Sequence, residues 1–165
     1  MKKPLLMDLE DNVFLEGDAL VVIDRRRLPG EIVRLRCTDH EAVARAIEEM
    51  AVQGAGDIAI TAGFGLYLAA RQAEQGGASK RDEALRAAAA RLIATRPTGY
   101  HLAALVNKLM RRVGEAGEPT PASAVILSSL RRSLDAQRRI SEDTGRHAET
   151  LLTSGDRILT HCFAG

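Results

Sequence analysis

Aromatic side chains are scarce in this 165-residue chain, which has no Trp, two Tyr and three Phe. A core without them has to be assembled from Ala, Leu, Val and Ile, a composition that favours closely packed helices. Cysteine is nearly as rare. Cys37 and Cys162 lie far apart with no CxxC spacing, which excludes a disulfide scaffold and makes free thiols of a cytoplasmic protein the expectation. His40, His101 and His147 show no metal-ligand spacing either. Neither sign of charge dominates, with 23 basic against 22 acidic residues, so no overall field attracts nucleic acid or an anionic membrane. Long apolar runs are missing too. Nothing approaches the roughly 18 residues of a membrane span. The short run Leu5 to Met7 after Lys2 and Lys3 gives way to Asp8, Glu10 and Asp11, well short of the about 7–15 apolar residues of a secretory segment.

What is present is globular. The chain is 45% hydrophobic and 27% charged, and its length suits one domain with a substantial core. The first third reads as strands: Val13 to Leu15, Ala19 to Asp24 and Glu31 to Cys37 are rich in β-branched residues and separated by Gly17-Asp18 and Leu28-Pro29-Gly30. Arg34 and Arg36 interleave with Val33 and Leu35, giving one wet face and a small antiparallel meander.

From Thr38 the period lengthens. Thr38-Asp39-His40-Glu41 fits a capping box, and Val43, Ala46, Ile47 and Met50 then form a helical stripe that runs to about Gln53-Gly54-Ala55-Gly56. Further helices are expected over about 57–74, ending at Gly76-Gly77, over 79–94 after Ser79, over 98–113, and over 122–152, where periodicity weakens past Arg131. The fold class is therefore α+β, a small β-meander followed by a helical bundle. At the end, Arg157 to Cys162 reads as a buried strand running into the loop Phe163-Ala164-Gly165. A strand there has no later strand to pair with, and strand-to-glycine-loop is how open α/β domains begin a ligand crevice. The expected division is a strand-and-helix domain over 1–154 and, over 155–165, the start of a truncated second domain.

Three places carry candidate chemistry. Gly54-Ala55-Gly56, just before a helix, offers backbone N–H groups to a phosphate, or is simply a helix-to-helix turn. Thr95-Arg96-Pro97-Thr98 has Pro at an apparent first helical position with a Thr cap, so that Arg96 would add a bidentate donor to an anion-attracting helix end. Cys162 lies at the C-terminal end of the last strand, where it is either an acid/base or nucleophilic thiol or a buried inert one. The adjacent His161 is more simply structural.

Taken in order, these segments resemble the sugar-phosphate isomerases related to the regulatory subunits of translation initiation factor 2B, best known for methylthioribose-1-phosphate isomerase. The stretches that carry the resemblance are Ile23-Asp24-Arg25-Arg26-Arg27-Leu28-Pro29, Ala46 to Met50 with Val52-Gln53-Gly54-Ala55, Arg96-Pro97-Thr98, Gly145-Arg146-His147, and Ile158 to Gly165. The resemblance implies that this N-terminal domain joins a Rossmann-like domain, normally in a homodimer. It implies a catalytic role for Cys162, substrate-phosphate binding at Arg96 and at the turn of Gln53, Gly54 and Ala55, and a catalytic Asp from a second domain or chain that this sequence does not contain. The implied reaction converts an aldose 1-phosphate to a ketose 1-phosphate and requires neither metal nor organic cofactor; the implied partner is a small sugar phosphate.

The chain also departs from the family pattern. Gln53 stands where the enzymes usually have Arg before Gly-Ala, the loss of one charge-assisted contact worth about 1.5–3 kcal/mol. Gly56 replaces the Pro of the methylthioribose enzymes and looks more like the ribose-1,5-bisphosphate isomerases. Asp57 puts an anion near the expected phosphate, and Phe163 follows the Cys in place of Asn. Alternative readings are therefore a ribose-1,5-bisphosphate isomerase, a non-catalytic sensor of sugar phosphates or nucleotides, or a fragment without independent function whose last helix exposes an apolar stripe.

Overall fold

A computed structural model describes residues 9–74 and 78–159 of the chain. After a single helical turn, α1 (Leu9–Asn12), strands β1 (Val13–Glu16) and β2 (Ala19–Ile23) pair antiparallel, with Val13 opposite Val22 and Glu16 opposite Ala19. The two-residue connection needs a left-handed residue, and Gly17 supplies it at φ 63°. β3 (Arg34–Cys37) pairs with the other edge of β2, Leu20 facing Cys37 and Ile23 facing Arg34. The sheet order is β1-β2-β3, the expected meander. The third strand is shorter than its apolar pattern implied. A one-turn 3₁₀ helix, Arg25–Arg27, leads out of β2, and 31–33 return as irregular chain joined to it by the Asp24 N–H donating to the Val33 carbonyl. Arg34 and Arg36 are exposed, as alternation required.

Five longer helices follow: α2 (His40–Glu48), α3 (Ala55–Ala73), α4 (Ala78–Ala94), α5 (Tyr100–Ala116) and α6 (Ala122–Glu149). The expected end of the second helix at Gly76-Gly77 lies outside the described residues. α2 is capped by Asp39, whose carboxylate accepts from the Ala42 N–H at 2.7 Å, not by Thr38. The expected reciprocal partner, Glu41, is engaged elsewhere: Arg91 of α4 forks onto Glu41 at 2.8 and 2.9 Å and onto Glu48 at 2.7 and 2.9 Å. A bidentate guanidinium outcompetes a backbone N–H for a carboxylate.

α3 is the axis of the bundle. It packs against α2, α4, α5 and α6 and also touches β1 and β2, and from Ala59 to Ala70 only Tyr67 is not fully buried. Gly63 and Gly65 make this possible. Two residues apart on a helix, they point to nearly opposite sides. A Cβ at Gly63 would strike the Leu130 methyl at 2.5 Å and approach Leu109 at 3.3 Å; one at Gly65 would meet Val43 at 2.9 Å and Leu92 at 3.0 Å. Helices therefore close on α3 from both sides at backbone distance, and the small residues Ala62, Ala69 and Ala70 complete the seam. This is the physical meaning of a core with few aromatics. α6 contributes Ala122, Ile126 and Leu130 to that core, and from Gln137 onward every helical residue is exposed. Of the strand expected over Arg157 to Cys162 only Arg157, Ile158 and Leu159 are described, and these are exposed irregular chain with no ladder partner among the described residues. Thr160 to Gly165 lie outside the described residues.

Two measurements test this packing. Gly65→Ala forces the stiff Val43 side chain to move, so it should destabilise by about 1–3 kcal/mol in urea unfolding despite the better helix propensity of Ala. Arg91 holds the carboxyls of Glu41 and Glu48 below their ordinary value of 4.5. The stabilisation they contribute is thus full above that value and fades as the pH falls below it. Arg91→Gln should lower the thermal midpoint at pH 7, and its difference from the unmodified chain should shrink as the pH falls to about 3.

Candidate functional site

The connection between α2 and α3 is where the candidate residues gather. α2 ends earlier than its apolar stripe suggested, because Met50 turns left-handed at φ 63°. The Met50 N–H donates to the Ile47 carbonyl at 3.1 Å and the Ala51 N–H to the Ala46 carbonyl at 3.0 Å. This paired closure usually employs glycine. A methionine there stores backbone strain of about 1–2 kcal/mol, and strain of this kind clusters at functional sites. Ala51 and Val52 then turn into the core. Gly54, at φ 93° and ψ 133°, starts α3 without a side-chain cap. Its carbonyl accepts the first helical N–H, from Ile58, at 2.9 Å, and a Cβ on Gly56 would meet nothing within 4 Å. At Gly56 the start of α3 is thus open, and among the described residues no side chain caps its N–H groups.

Three arginines from two other connections converge on this loop. Arg26 is held by Asp24, whose Oδ1 accepts from Arg26 Nε at 2.8 Å and whose Oδ2 accepts from Nη2 at 2.7 Å; Arg26 Nη1 then reaches Glu49 Oε2 at 2.8 Å. The Arg26 guanidinium keeps the Asp24 carboxyl below its ordinary range. Arg25, which is buried, donates its N–H to the Ala51 carbonyl at 2.9 Å, Nη1 to the Gln53 carbonyl at 2.5 Å, and Nη2 to Asp57 Oδ2. Burial pushes the Asp57 carboxyl up, against the pull of Arg25. Pairing with Arg25 therefore offsets part of the cost of placing an anion there.

Arg96 approaches from the connection between α4 and α5. Sequence pattern placed it at the N-terminus of α5, with Pro97 as first helical residue. Instead, a turn closed by the Gly99 N–H on the Arg96 carbonyl at 2.8 Å intervenes, and α5 begins only after Gly99. The guanidinium points to the end of α2. Arg96 Nη2 donates to the Ile47 carbonyl at 3.1 Å and to Met50 Sδ, while its buried Nε has no hydrogen-bond partner among the described residues. A cation at a helix C-terminus is favourable in its own right.

The structure thus brings Gln53, Gly54, Ala55 and Arg96 to one loop. Gln53 Nε2 donates to the Met50 carbonyl at 3.3 Å, an exposed bond within the loop. Asp57 lies beside them, while Cys162 and His161 fall outside the described residues. Sequence reasoning treated Arg25 only as part of a motif and missed its role. The available signal was a run of three arginines directly after a strand, preceded by an acid. Among the described residues no cluster of His, Cys, Asp or Glu could hold a metal, and no helix is long and apolar enough to cross a membrane. Cys37 is buried under the sheet edge, and burial raises its thiol pKa, so it is no candidate nucleophile.

Residues 51–165 match the Initiation factor 2 subunit family, and the chain belongs to it. Methylthioribose-1-phosphate isomerase of Xanthomonas euvesicatoria pv. vesicatoria is 37% identical over 149 residues, 90% of this chain and 42% of that protein. The crystal structure of 5-methylthioribose 1-phosphate isomerase from Pyrococcus horikoshii superposes with a TM-score of 0.69 at 28% identity, over 73% of this chain and 35% of that one. Subunit delta of translation initiation factor eIF-2B from A. fulgidus gives 0.78 at 27% identity, over 88% and 42%. The resemblance expected from the motifs and the α+β architecture is therefore established, and the chain spans about two fifths of the length of such curated relatives.

If Arg96 fastens the loop as its contacts indicate, Arg96→Met should cost about 1 kcal/mol or more of stability. Amide hydrogen exchange at Met50 to Gly54 should accelerate, while exchange in the centre of α3 keeps pace with global unfolding.

Proposed function

We propose that this chain is the N-terminal part of a sugar-phosphate isomerase, of the type acting on methylthioribose 1-phosphate, with residues 1–154 as one domain and 155–165 opening a second. The carrying observation is the convergence of Gln53, Gly54, Ala55 and Arg96 on a single loop in a chain whose curated relatives bear that name. In this reading the uncapped start of α3 and the Arg96 guanidinium receive the substrate phosphate. Fixing the phosphate fixes the reacting carbons, and positioning of this kind supplies a large share of rate enhancement.

The reaction opens the sugar ring and moves one hydrogen between C1 and C2, so the aldose and ketose forms have the same composition and no external oxidant is required. Two acid/base positions serve it. Cys162 takes one, and a carboxylate from a second domain or chain takes the other, with a homodimer as the assembly. Gln53 leaves the loop with one cation fewer than the family pattern. A non-catalytic sensor that binds the same ligand without turnover is the alternative outcome of the assay.

The experiment is a coupled assay for ketose 1-phosphate formation on the longest natural form of the protein. Cys162→Ser should abolish turnover while circular dichroism and the thermal midpoint stay unchanged. A full rate after that substitution would sink the proposal. Sugar phosphates that raise the thermal midpoint of the unmodified protein without yielding product would establish the sensor instead.

A further inference from the structure

We infer that Arg25 is a positioning residue of the sugar-phosphate site: it draws the carboxylate of Asp57 away from the Gly54–Ala55 turn and so leaves that turn receptive to an anion. The inference rests on the isomerase reading for its ligand and adds to it a residue that acts through another.

The side chain of Arg25 is 6% exposed, an extent of burial that a guanidinium tolerates only with specific partners. It comes from the 3₁₀ turn after β2, and two of its partners lie 28 and 32 residues further along the chain, on either side of the Gly54 turn. One is a backbone carbonyl, that of Gln53. Holding it fixes the peptide plane that enters Gly54. The other is the carboxylate of Asp57, the third residue of α3 after its N-cap.

An acidic side chain at that position ordinarily folds back on the backbone N–H groups that begin the helix. There it would occupy the donors that an incoming phosphate needs, and it would repel the phosphate by charge. Among the described residues no side chain caps α3, and the carboxylate is turned to Arg25 instead. The pair itself carries no net charge, so it leaves the favourable field of the helix start for an incoming anion. Arg25 thus does two things at once: it holds the turn's backbone through Gln53 and cancels the charge of Asp57.

The two effects separate in a charge series. Backbone-amide NMR titration of the 165-residue chain with ribose 1-phosphate, read at residues 53–58, gives a dissociation constant for each variant. Asp57→Asn leaves the site one charge more positive and should bind most tightly. The unmodified chain should follow, with the Arg25→Gln/Asp57→Asn double variant close behind it, since that variant keeps the charge balance and loses only the hold on Gln53. Arg25→Gln should be weakest, by about tenfold or more relative to the unmodified chain, the size of one charge-assisted contact. Arg25→Lys, which keeps the charge without the planar fork, should fall between the last two.

A merely structural Arg25 predicts a different result, because the Gln53 carbonyl is unclamped in both Arg25→Gln variants. Equal weakness of the single and double variants therefore overturns the inference, as does unmodified affinity in Arg25→Gln. Should Arg25→Gln fail to fold, Asp57→Asn decides alone: tighter binding supports the inference, and equal or weaker binding overturns it. Absence of shifts at 53–58 in the unmodified chain overturns the phosphate site itself. Shifts there in the wrong order overturn only the part assigned to Arg25.

Discussion

Everything in this fold is arranged around one helix that has almost no solvent face. α3 can be buried on all sides only because Gly63 and Gly65 let neighbours approach its backbone from opposite directions. Burying a helix so completely is economical in polar groups, since its own ladder satisfies its interior N–H and C=O groups. Only the ends remain to be satisfied. The C-terminal end is followed by Glu74, whose carboxylate accepts from the Ser123 N–H and hydroxyl at 2.8 Å and so caps α6. The N-terminal end is the Gly54 turn, and a rigid, centrally anchored helix offers it to solvent in a fixed place. The site inherits its precision from the core.

The loop that leads into that turn is built differently. Its carbonyls, at Ile47, Glu49, Ala51 and Gln53, point outward from the end of α2 and are met by Arg96, Arg26 and Arg25. Each of these arginines lies on a connection rather than inside a long helix or strand. Three segments distant in sequence are thereby tied at a single point, the junction between the sheet layer and the bundle. A guanidinium suits this task because its planar fork can serve a carbonyl and a carboxylate together, as Arg25 does. A lysine in the same place would reach only one of them well.

Much of this was legible in the residues. The meander, the five helices and the weakening of α6 past Arg131 follow from a period of two giving way to one of about 3.6. What the sequence concealed is instructive. Thr38 looked like the cap and Asp39 is, because Arg91, fifty residues on, takes Glu41 for itself. Arg96 looked like the start of α5, yet a turn at Gly99 swings it to the end of α2. Met50 continued a flawless apolar stripe and nonetheless leaves the helix left-handed. In each case local pattern was overruled by a long-range pairing or by a turn whose conformation a glycine pattern would have announced. Arg25 escaped notice for a related reason: its partners, Gln53 and Asp57, are close only after the sheet and α3 have docked. Gln53, Gly54, Ala55 and Arg96 do meet at the connection between α2 and α3, but their individual hydrogen bonds were not readable.

The outer part of α6 has a consequence of another kind. From Gln137 to Glu149 the helix has no apolar burial to hold it, and thirteen residues are near the length below which isolated helices are marginal in water. Pairs such as Arg146 with Asp143 give only a little support there. Cooperative unfolding of the bundle should therefore stop at about Leu134, and beyond it the chain behaves as a peptide in helix–coil exchange with fraying that grows toward Glu149. The 165-residue chain by itself then has two melting regimes in one continuous helix: a steep one governed by the Leu130 contact with α3, and a shallow one governed by temperature and ionic strength.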